Sequence, residues 1–383
     1  MSRKVVRVAI NGVTGRMGYR QHLVRSLLGI REQGGARLSD GTAIWPELVL
    51  LGRDEQRLRL IAEKHSIEHW TTSLDDVLGD PAVDIYFDAQ VTSAREVSLG
   101  KAIAAGKHVY TEKPVANSLD GAVQLARAAR TAGITNGVVQ DKLFLPGVIK
   151  LRRLIKEGFF GRVLSVRLEF GYWVFEGDGL AAQRPSWNYR KEDGGGIILD
   201  MFPHWQYLLE DLFGTIQALY ARHATHVPVR WDESGGQYQV TADDAAYALL
   251  EFESGAIASV NSSWAVRVNR RELVELHVDG THGSAVAGLR NCAVQHRVST
   301  PMPVWNPDLP DPIDYPAGWT DIPDNGTFDN GFKVQWELFL KHAAQGTPFP
   351  WDLAEGAKGV QLAGLAMQSS AEGRRIEVPR LAL

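Results

Sequence analysis

The sequence is poor in cysteine, in long hydrophobic runs and in net positive charge. Its one cysteine, Cys292, excludes an intrachain disulfide and a cysteine-based metal knuckle. The formal net charge of −4 provides no basic field to hold a nucleic acid or an anionic membrane surface. No apolar run approaches the length of a membrane span, and a strand-like run begins at Val5, where a signal peptide would need its apolar core. We therefore expect a cytoplasmic protein with neither nucleic-acid nor membrane partners.

The length of the chain and the regularity of its first part predict two domains. A chain of 383 residues exceeds one ordinary core. Strand-like runs and helical patterns alternate at first, which predicts a Rossmann-type, doubly wound parallel sheet over residues 1–145. We expect Gly106 and Gly133 to end helices and residues 31–46 to form a surface insertion. The strand-like runs are 5–10, 47–52, 83–89, 108–113 and 135–140, and the helical patterns span about 16–29, 54–65, 94–105 and 118–131.

The second part of the chain has a different pattern. Successive strand-like runs predict a large, mostly antiparallel sheet and an α+β domain over residues 146–383, with the option that its C-terminal helices pack against the first domain. Residues 301–326 hold seven prolines and predict a long, partly extended loop. The strand-like runs are 162–175, 216–227, 245–252, 256–266, 271–280 and 284–297, and helical patterns return at about 328–344 and 353–371.

Three glycines follow the first strand-like run. Gly12, Gly15 and Gly18 have the spacing G-x-x-G-x-x-G, one residue longer than the usual dinucleotide turn, but they meet the same demands of a sharp bend and close approach by a pyrophosphate. The following helix would offer its free N–H groups to the phosphates. The pattern favours a nucleotide-binding turn over a strand-to-helix turn that binds nothing, and its candidate contacts are Gly12, Thr14, Gly15, Arg16, Met17 and Gly18.

The end of the second strand bears on the choice of cofactor. An acidic residue there would bind the ribose 2′-hydroxyl of NAD, and a basic one suits the 2′-phosphate of NADP. Gly52 occupies the expected acidic position and Arg53 follows, which favours NADP over NAD. Asp54 is close enough to serve NAD if the register differs by a residue, and a solvated loop charge is an equal alternative for Arg53.

Two further segments carry candidate catalytic side chains. Glu112 and Lys113 follow a strand at the sheet edge where ligands bind, and both are candidate cofactor contacts. Lys113 is also a candidate donor to a substrate oxygen, with an exposed lysine as the alternative. Asp200 and His204 stand at i and i+4 of an apolar helical run behind three glycines, an arrangement suited to a general base and its orienting acid. A structural hydrogen bond or a metal pair are alternatives, but no nearby ligand cluster supports a metal.

A segment rich in aromatic and basic residues lies just upstream of that helix. Aromatic faces stack on sugar rings and polar neighbours bind hydroxyl groups, so Arg184, Trp187 and Tyr189 are candidate substrate contacts. The basic residues would suit an anionic group on the substrate. A solvated basic loop is at least as good an interpretation of Arg190 and Lys191.

The order of these motifs resembles the Gfo/Idh/MocA oxidoreductases. The resemblance rests on a Rossmann half, then EKP (112–114), then GGG followed by D-x-x-x-H (200–204), and then a strand-rich half that includes the hairpin-like segment 243–264. Two segments depart from the family pattern. DAQVTSARE (88–96) stands where members often show TP, a polar pair and a His, and Asp141 with Lys142 stands where members often carry an Arg-aromatic pair.

The resemblance implies NAD(P)-dependent hydride transfer at a carbinol carbon of a sugar, sugar derivative or cyclitol. Matched residue by residue, Lys113, Asp200 and His204 form the catalytic group: His204 exchanges the hydroxyl proton, Lys113 bonds the same oxygen, and Asp200 orients His204 or a neighbouring hydroxyl. Lys142 joins the substrate contacts, and a homodimer or homotetramer is expected. The alternatives are a non-catalytic NAD(P)-binding sensor and a reductase of a small carbonyl compound or cyclic imine, since NGVTGRMG also resembles dihydrodipicolinate reductases.

Overall fold

The computed structural model describes residues 2–303, 305–310 and 313–382, which fold as two compact units. The first unit holds the described residues of 1–144, 329–364 and 381–383, and the second holds 145–328 and 365–380 as far as they are described. The single boundary at 145/146 placed residues 329–364 in the second domain, with the stated option that C-terminal helices pack against the first. The first unit includes them. The reason is that these helices carry aromatic and aliphatic side chains that cover the first unit's sheet.

The secondary structure follows the chain in this order. The elements before residue 140 are β1 (Arg3–Asn11), a π-helix (Met17–Leu28), α1 (Gly29–Glu32), β2 (Ala36–Arg37), β3 (Ala43–Leu51), α2 (Glu55–His65), β4 (His69–Thr71), α3 (Leu74–Gly79), β5 (Ile85–Asp88), α4 (Thr92–Ala104), β6 (His108–Thr111), α5 (Leu119–Ala132) and β7 (Asn136–Val138). Those that follow are α6 (Pro146–Lys156), β8 (Val163–Gly171), α7 (Ile197–Phe213), β9 (Ile216–Ala224), β10 (Val229–Trp231), β11 (Gln237–Gln239), β12 (Ala245–Phe252), β13 (Ile257–Ser263), β14 (Val274–Gly280), β15 (Gly283–Gly288), β16 (Cys292–His296), β17 (Thr320–Asp321), α8 (Gly331–Gln345), α9 (Leu353–Glu372) and β18 (Ile376–Glu377).

The first unit is built on a sheet with the strand order β2-β3-β1-β5-β6-β7, where β4 also pairs with β3. Its strands are parallel except for the short edge strand β2, which is antiparallel to β3. Strand β1 pairs in parallel with both β3 and β5, so the chain reverses its direction of travel across the sheet at β1. Ligands of such sheets bind at this point, outside the carboxyl ends of the strands. The predicted Rossmann-type sheet is confirmed.

Side chains that alternate along the strands form a core on each face of this sheet. On one face Ile10 and Phe87 pack with Leu23 of the π-helix and with Trp336 and Phe339 of α8. On the other, Ala9 and Tyr86 pack with helices α4 and α5 and with the start of α9, whose contributions include Leu99, Ala122 and Leu353. The predicted helix stops are confirmed, because Gly133 caps α5 in the left-handed conformation and Gly106 follows α4 with a φ of 71°.

The second unit is built on a large sheet with the order β17-β16-β15-β14-β8-β13-β12-β9-β18. Its neighbouring strands are antiparallel except for β8 and β13, which run parallel. The prediction of a mostly antiparallel α+β domain is confirmed. Helix α7, which carries Asp200 and His204, is buried along most of its length.

The structure corrects several local predictions. Residues 31–46 are only partly a surface insertion, because β2 pairs with β3 there and the apolar side chains of Ala36, Leu38 and Ile44 are buried. The run 284–297 is a hairpin, β15 and β16, and not one strand. The short elements β4 and α3 and the helix α6 were missed, and Thr320–Asp321 of the proline-rich loop pairs with β16.

Candidate active site

The glycine turn lies at the carboxyl end of β1, and its three glycines have different reasons to be glycine. Gly12 has a φ of 81°, and a Cβ there would lie 2.7 Å from the backbone of Ala89. A Cβ on Gly18 would lie 2.4 Å from the carbonyl oxygen of Gly12. Gly15 is exposed, and its Cβ would approach only the Gly12 oxygen, at 3.2 Å. Gly12 and Gly18 therefore close the turn, while Gly15 leaves its outer surface open to a ligand.

The helix after the turn has the wider i→i+5 spacing of a π-helix, a form often found near functional sites. The Tyr19 N–H donates to the Gly15 carbonyl at 2.9 Å, a bond with the α-helical spacing of four residues at the point where the turn enters this helix. Arg16 occupies the N-cap position and is exposed, and Met17 begins the helix. The backbone N–H groups of this first turn form an anion-binding end of the kind that a pyrophosphate uses.

Arg53 and Asp54 follow the carboxyl end of β3. Both residues are exposed. The Asp54 side chain caps α2 by accepting the Arg57 N–H at 3.0 Å. A Cβ on Gly52 would meet the methyl group of Thr14 at 3.4 Å, so this strand end lies against the glycine turn. Arg53 is thus the side chain here whose position suits a group on the adenosine ribose.

Glu112 is held by a residue that the sequence analysis missed. Oε1 of its buried carboxylate lies 2.7 Å from Nε2 of His22, and Oε2 accepts a hydrogen bond from the Lys113 N–H at 3.1 Å. The Trp336 indole donates to Nδ1 of His22 at 3.0 Å, so neutral His22 carries its proton on Nε2 and donates it to Glu112. Burial, the largest single effect, would raise the pKa of Glu112, but the hydrogen bond from His22 and the nearby positive charges of Lys113 and Arg95 together outweigh it, and the pKa is lowered.

Lys113 lies half-buried in the turn after β6, joined to Pro114 by a cis peptide bond. Val115 and Ala116, which follow, are buried in the core on one face of the sheet. The backbone on both sides of Lys113 is therefore fixed, by Glu112 before it and by the core after it. This arrangement holds the lysine stem at the carboxyl edge of the sheet, as predicted.

The start of α7 depends on another missed residue, Asp243. The N-cap is Gly196, with a φ of 123° and no side chain to cap the helix. Asp243 replaces that cap: its carbonyl accepts the Ile197 N–H at 3.0 Å, and its carboxylate accepts the Ile198 N–H at 2.9 Å. A Cβ on Gly196 would lie 2.4 Å from this carboxylate. Asp243 thus anchors the helix that carries Asp200 and His204.

Asp200 is paired with a predicted substrate residue. Its Oδ2 accepts a hydrogen bond from Arg184 at 2.7 Å, and the same guanidinium nitrogen lies 3.1 Å from Oδ1 of Asn188. The guanidinium stacks 4.1 Å above the ring of Trp264. Burial alone would lower the pKa of Arg184, but the Asp200 carboxylate reverses this and the pKa is raised.

His204 is buried and is oriented from within its own helix. Its Nδ1 lies 2.8 Å from the hydroxyl of Tyr207, one turn further along α7. The Tyr207 ring packs edge-on to the imidazole, with the ring centroids 5.6 Å apart. The contact between Nδ1 and Tyr207 orients the ring, and Nε2 is the nitrogen that suits proton exchange with a ligand.

The remaining predicted substrate residues differ in exposure. Trp187 is 46% exposed and is open to a ligand. Tyr189 is only 1% exposed, and its ring is covered by the Arg230 guanidinium, 4.0 Å above it. In the first unit, the ammonium of Lys142 contacts the Asp141 carboxylate at 2.7 Å.

The sequence carried weak signals for the residues that were missed. His22 falls on the apolar, core-facing side of the first helical pattern, which a polar residue occupies only with a partner. Asp243 stands directly before a strand-like run and far along the chain from the helix that it caps, so local spacing could not connect them. The pairing of Arg184 with Asp200 also joins a loop to a helix.

Among the described residues, no group of three His, Cys, Asp or Glu side chains is placed to hold a metal ion. In the same part of the chain, no helix is both long and apolar enough to cross a membrane.

Comparisons with known proteins agree with this architecture. Residues 6–139 match the family model of an oxidoreductase with an NAD-binding Rossmann fold, and residues 148–286 match the Gfo/Idh/MocA C-terminal domain. The chain is 57% identical over 383 residues to D-xylose dehydrogenase of Paenarthrobacter nicotinovorans, with 99% of each chain covered. It is 29% identical to 1,5-anhydro-D-fructose reductase of Ensifer adhaerens, with 66% of this chain and 70% of that one covered.

Solved structures with the same fold include levoglucosan dehydrogenase in complex with NADH. Its TM-score is 0.81 at 21% identity, and the match covers 99% of this chain and all of that one. The Rossmann unit and the large-sheet unit together define a nicotinamide-dependent oxidoreductase. The chain belongs to the Gfo/Idh/MocA family. The predicted family, fold class and oxidoreductase activity on CH–OH groups of sugar-like compounds are thereby confirmed.

Proposed function

We propose that this enzyme is an NAD(P)-dependent dehydrogenase of D-xylose or a closely similar aldose. The observation that carries the proposal is the 57% identity to D-xylose dehydrogenase over 99% of both chains. This identity spans the full length of the chain and so covers the residues of both units that are proposed to act on the sugar. We also propose that the enzyme works in the cytoplasm.

Lys113, Asp200 and His204 are proposed as the catalytic group. His204 is oriented through Nδ1 by Tyr207, so its Nε2 takes the hydroxyl proton in oxidation and returns it in reduction. Lys113 donates to the same oxygen and stabilises its developing negative charge. Asp200, held by Arg184, accepts a hydrogen bond from a neighbouring hydroxyl and so fixes the sugar's orientation.

The glycine turn is proposed to bind the pyrophosphate of the cofactor through Gly12, Thr14, Gly15, Arg16, Met17 and Gly18. The open outer surface of Gly15 and the exposed helix start support this fit. When bound, the nicotinamide accepts or returns the hydride. We favour NADP, because Arg53 is exposed at the strand end where a 2′-phosphate would lie, while Asp54 is engaged in capping α2. Since both carboxylate oxygens of Glu112 are bonded within the chain, we assign it to support of the Lys113 turn.

The charge of the second-unit residues favours a neutral sugar over a sugar acid. Arg184 was the candidate to bind an anionic group, but its charge is balanced by Asp200 at 2.7 Å. The exposed ring of Trp187 is a proposed stacking surface for the sugar. Lys142 is the remaining proposed substrate contact from the first unit.

A homodimer or homotetramer is part of the proposal. Apolar side chains are exposed on one face of the large sheet, where Tyr220 lies directly opposite Leu249 in the pairing of β9 with β12. Tyr247 and Ile257 extend the same face. An exposed apolar patch of this kind is typical of an interface between subunits.

The test is the appearance of reduced cofactor when the enzyme is incubated with D-xylose, other neutral aldoses, sugar acids and cyclitols, each with NAD and with NADP. We expect turnover with D-xylose and little with sugar acids. Lys113→Ala should lower kcat by about 10²-fold or more while cofactor binding remains. A protein that binds cofactor but turns over none of these compounds would contradict the proposal and favour the sensor alternative.

A further inference from the structure

The segment 88–96, which departs from the family pattern, contains a buried ion pair. Asp88 is the last residue of β5 and Arg95 lies in the first turn of α4. Their side chains are 0% and 3% exposed, and Nε of Arg95 lies 3.3 Å from Oδ1 of Asp88. The proposed reaction uses neither residue, and a hydrophobic pair of similar volume would stabilise the fold about as well. The presence of this buried ion pair therefore needs an explanation other than stability of the fold.

The Arg95 guanidinium holds the turn that carries Lys113. Besides the Asp88 carboxylate, it donates through one terminal nitrogen to the Gln90 carbonyl at 2.6 Å and through the other to the Pro114 carbonyl. Pro114 is bonded directly to Lys113. All three guanidinium nitrogens are therefore used, and one of them fixes the peptide next to the proposed catalytic lysine.

The Asp88 carboxylate continues the network to the glycine turn. Its Oδ2 accepts from the Tyr86 hydroxyl at 2.8 Å, and that hydroxyl accepts from the Asn11 side-chain amide at 2.7 Å. Asn11 directly precedes Gly12, and its carbonyl accepts the Ala89 N–H at 2.9 Å. One continuous series of buried hydrogen bonds thus connects the Pro114 carbonyl with the start of the proposed pyrophosphate turn.

We propose that Arg95 and Asp88 are positioning residues that hold Lys113 at a set place relative to the glycine turn. The proposal rests on the proposed function, in which Lys113 acts on the substrate and the glycine turn binds the cofactor. Arginine suits this role because its planar group directs donors to three acceptors at once, which a lysine cannot do. The carboxyl ends of β1, β5 and β6 are thereby held together by side chains as well as by the sheet.

The test separates positioning from stability with a double variant. Arg95→Gln with Asp88→Asn removes both charges, so no unpaired charge is left buried, but the arginine contact to the Pro114 carbonyl is lost. We expect it to lose no more thermal stability than the control variant Lys107→Met, but to have a kcat lowered by about 10²-fold, because misplacement of a catalytic group by about 1 Å has that effect. KM for the sugar should change less than kcat. Arg95→Lys should recover only part of kcat.

Lys107→Met is the matched control. Lys107 is also a buried cation that donates to backbone carbonyls, those of Asp80 at 2.6 Å and Val83 at 3.0 Å. It directly precedes β6, at the end of that strand opposite to Lys113. This variant should lose thermal stability and keep its kcat within about twofold.

A second readout needs neither substrate nor turnover. The rate at which acetic anhydride acetylates Lys113, followed by peptide mass spectrometry over a range of pH and compared with exposed Lys156, reports the freedom and proton affinity of Lys113 itself. We expect a changed pH profile in the double variant and a wild-type profile in Lys107→Met. The dissociation constant for the reduced cofactor, measured by fluorescence, should also rise only in the double variant, which means weaker binding.

The outcomes are distinct. If the folded double variant keeps the wild-type kcat, Lys113 profile and cofactor affinity, the positioning role is wrong. If the double variant fails to fold, the same three measurements on Arg95→Lys decide whether Arg95 positions Lys113. If the wild type turns over no sugar, the proposed function fails, whereas the acetylation profile and cofactor affinity still test whether Arg95 and Asp88 position Lys113.

Discussion

At the scale of single residues, the candidate side chains are defined by a few buried partners. Glu112 is held by His22, Asp200 by Arg184, and His204 is oriented by Tyr207. In each case the partner converts a side chain that could rotate freely into one with a fixed direction. Such pre-organisation is what proton transfer and charge stabilisation require.

The pairing of Glu112 with His22 predicts a specific dependence of stability on pH. Because the pKa of Glu112 is lowered below its ordinary value of 4.5, the unfolded chain binds more protons than the native one just below that pH. The stabilisation is therefore complete above pH 4.5 and is lost as the pH falls through the native pKa. Glu112→Gln should lower the free energy of unfolding by about 1–3 kcal/mol at neutral pH, and by less in acid.

Urea denaturation at about pH 7 and about pH 4 measures this difference. Glu63→Gln is the control, since that carboxylate is 66% exposed and should change stability little at either pH. An equal loss for Glu112→Gln at both pH values would contradict the account of the buried pair.

The proposed preference for NADP rests on one residue, Arg53. If it binds the 2′-phosphate, Arg53→Ala should raise KM for NADP by about 10-fold or more and leave KM for NAD within about twofold. Arg57→Ala is the control, because Arg57 is also exposed and lies one turn further on. Steady-state kinetics with both cofactors decide the matter; a larger effect on NAD than on NADP would reverse our assignment.

At the scale of elements, we expect Gly18 of the glycine turn to be needed for folding and Gly15 to be needed for cofactor binding. Gly18→Ala forces a Cβ to within 2.4 Å of the Gly12 carbonyl oxygen, and we expect it to cost about 1–3 kcal/mol of stability through overpacking. Gly15→Ala meets only one atom, at 3.2 Å, so stability should change by less than about 1 kcal/mol. Its methyl group would project where the pyrophosphate approaches.

Thermal denaturation and fluorescence titration with reduced cofactor test this division. We expect Gly15→Ala to keep its melting temperature and to weaken cofactor binding by about 10-fold. Gly18→Ala should have a lower melting temperature than the wild type. If Gly15→Ala binds cofactor as tightly as the wild type, the pyrophosphate does not lie against Gly15.

At the scale of the whole molecule, strand and helix periodicity predicted both domains, because hydrophobic patterning and glycine stops act locally. What the sequence could not reveal are contacts between distant segments. Helix α8 covers the first sheet because Trp336 and Phe339 fill its core, although they lie far along the chain from it. Strands β8 and β13 pair in parallel, and Asp243 caps α7, for the same non-local reason.

The same distinction between local patterns and contacts of distant segments applies to the candidate site. Lys113, Asp200 and His204 were predicted from short motifs, whereas His22 and Asp243 act through partners that only the fold brings close. Tyr207 lies one helical turn from His204, so its contact is a local one. Tyr189 was predicted from an aromatic residue beside basic ones, a pattern that could not show that its ring is buried under Arg230.

Hydride transfer from the sugar to the cofactor is tested most directly by following the transferred hydrogen. The enzyme is incubated with oxidised cofactor and D-xylose deuterated at every carbon-bound position, and the mass of the reduced cofactor is measured. The account predicts the gain of one deuterium per turnover, with turnover lost in Lys113→Ala and in His204→Ala. Reduced cofactor without deuterium, or full turnover in both variants, would contradict it.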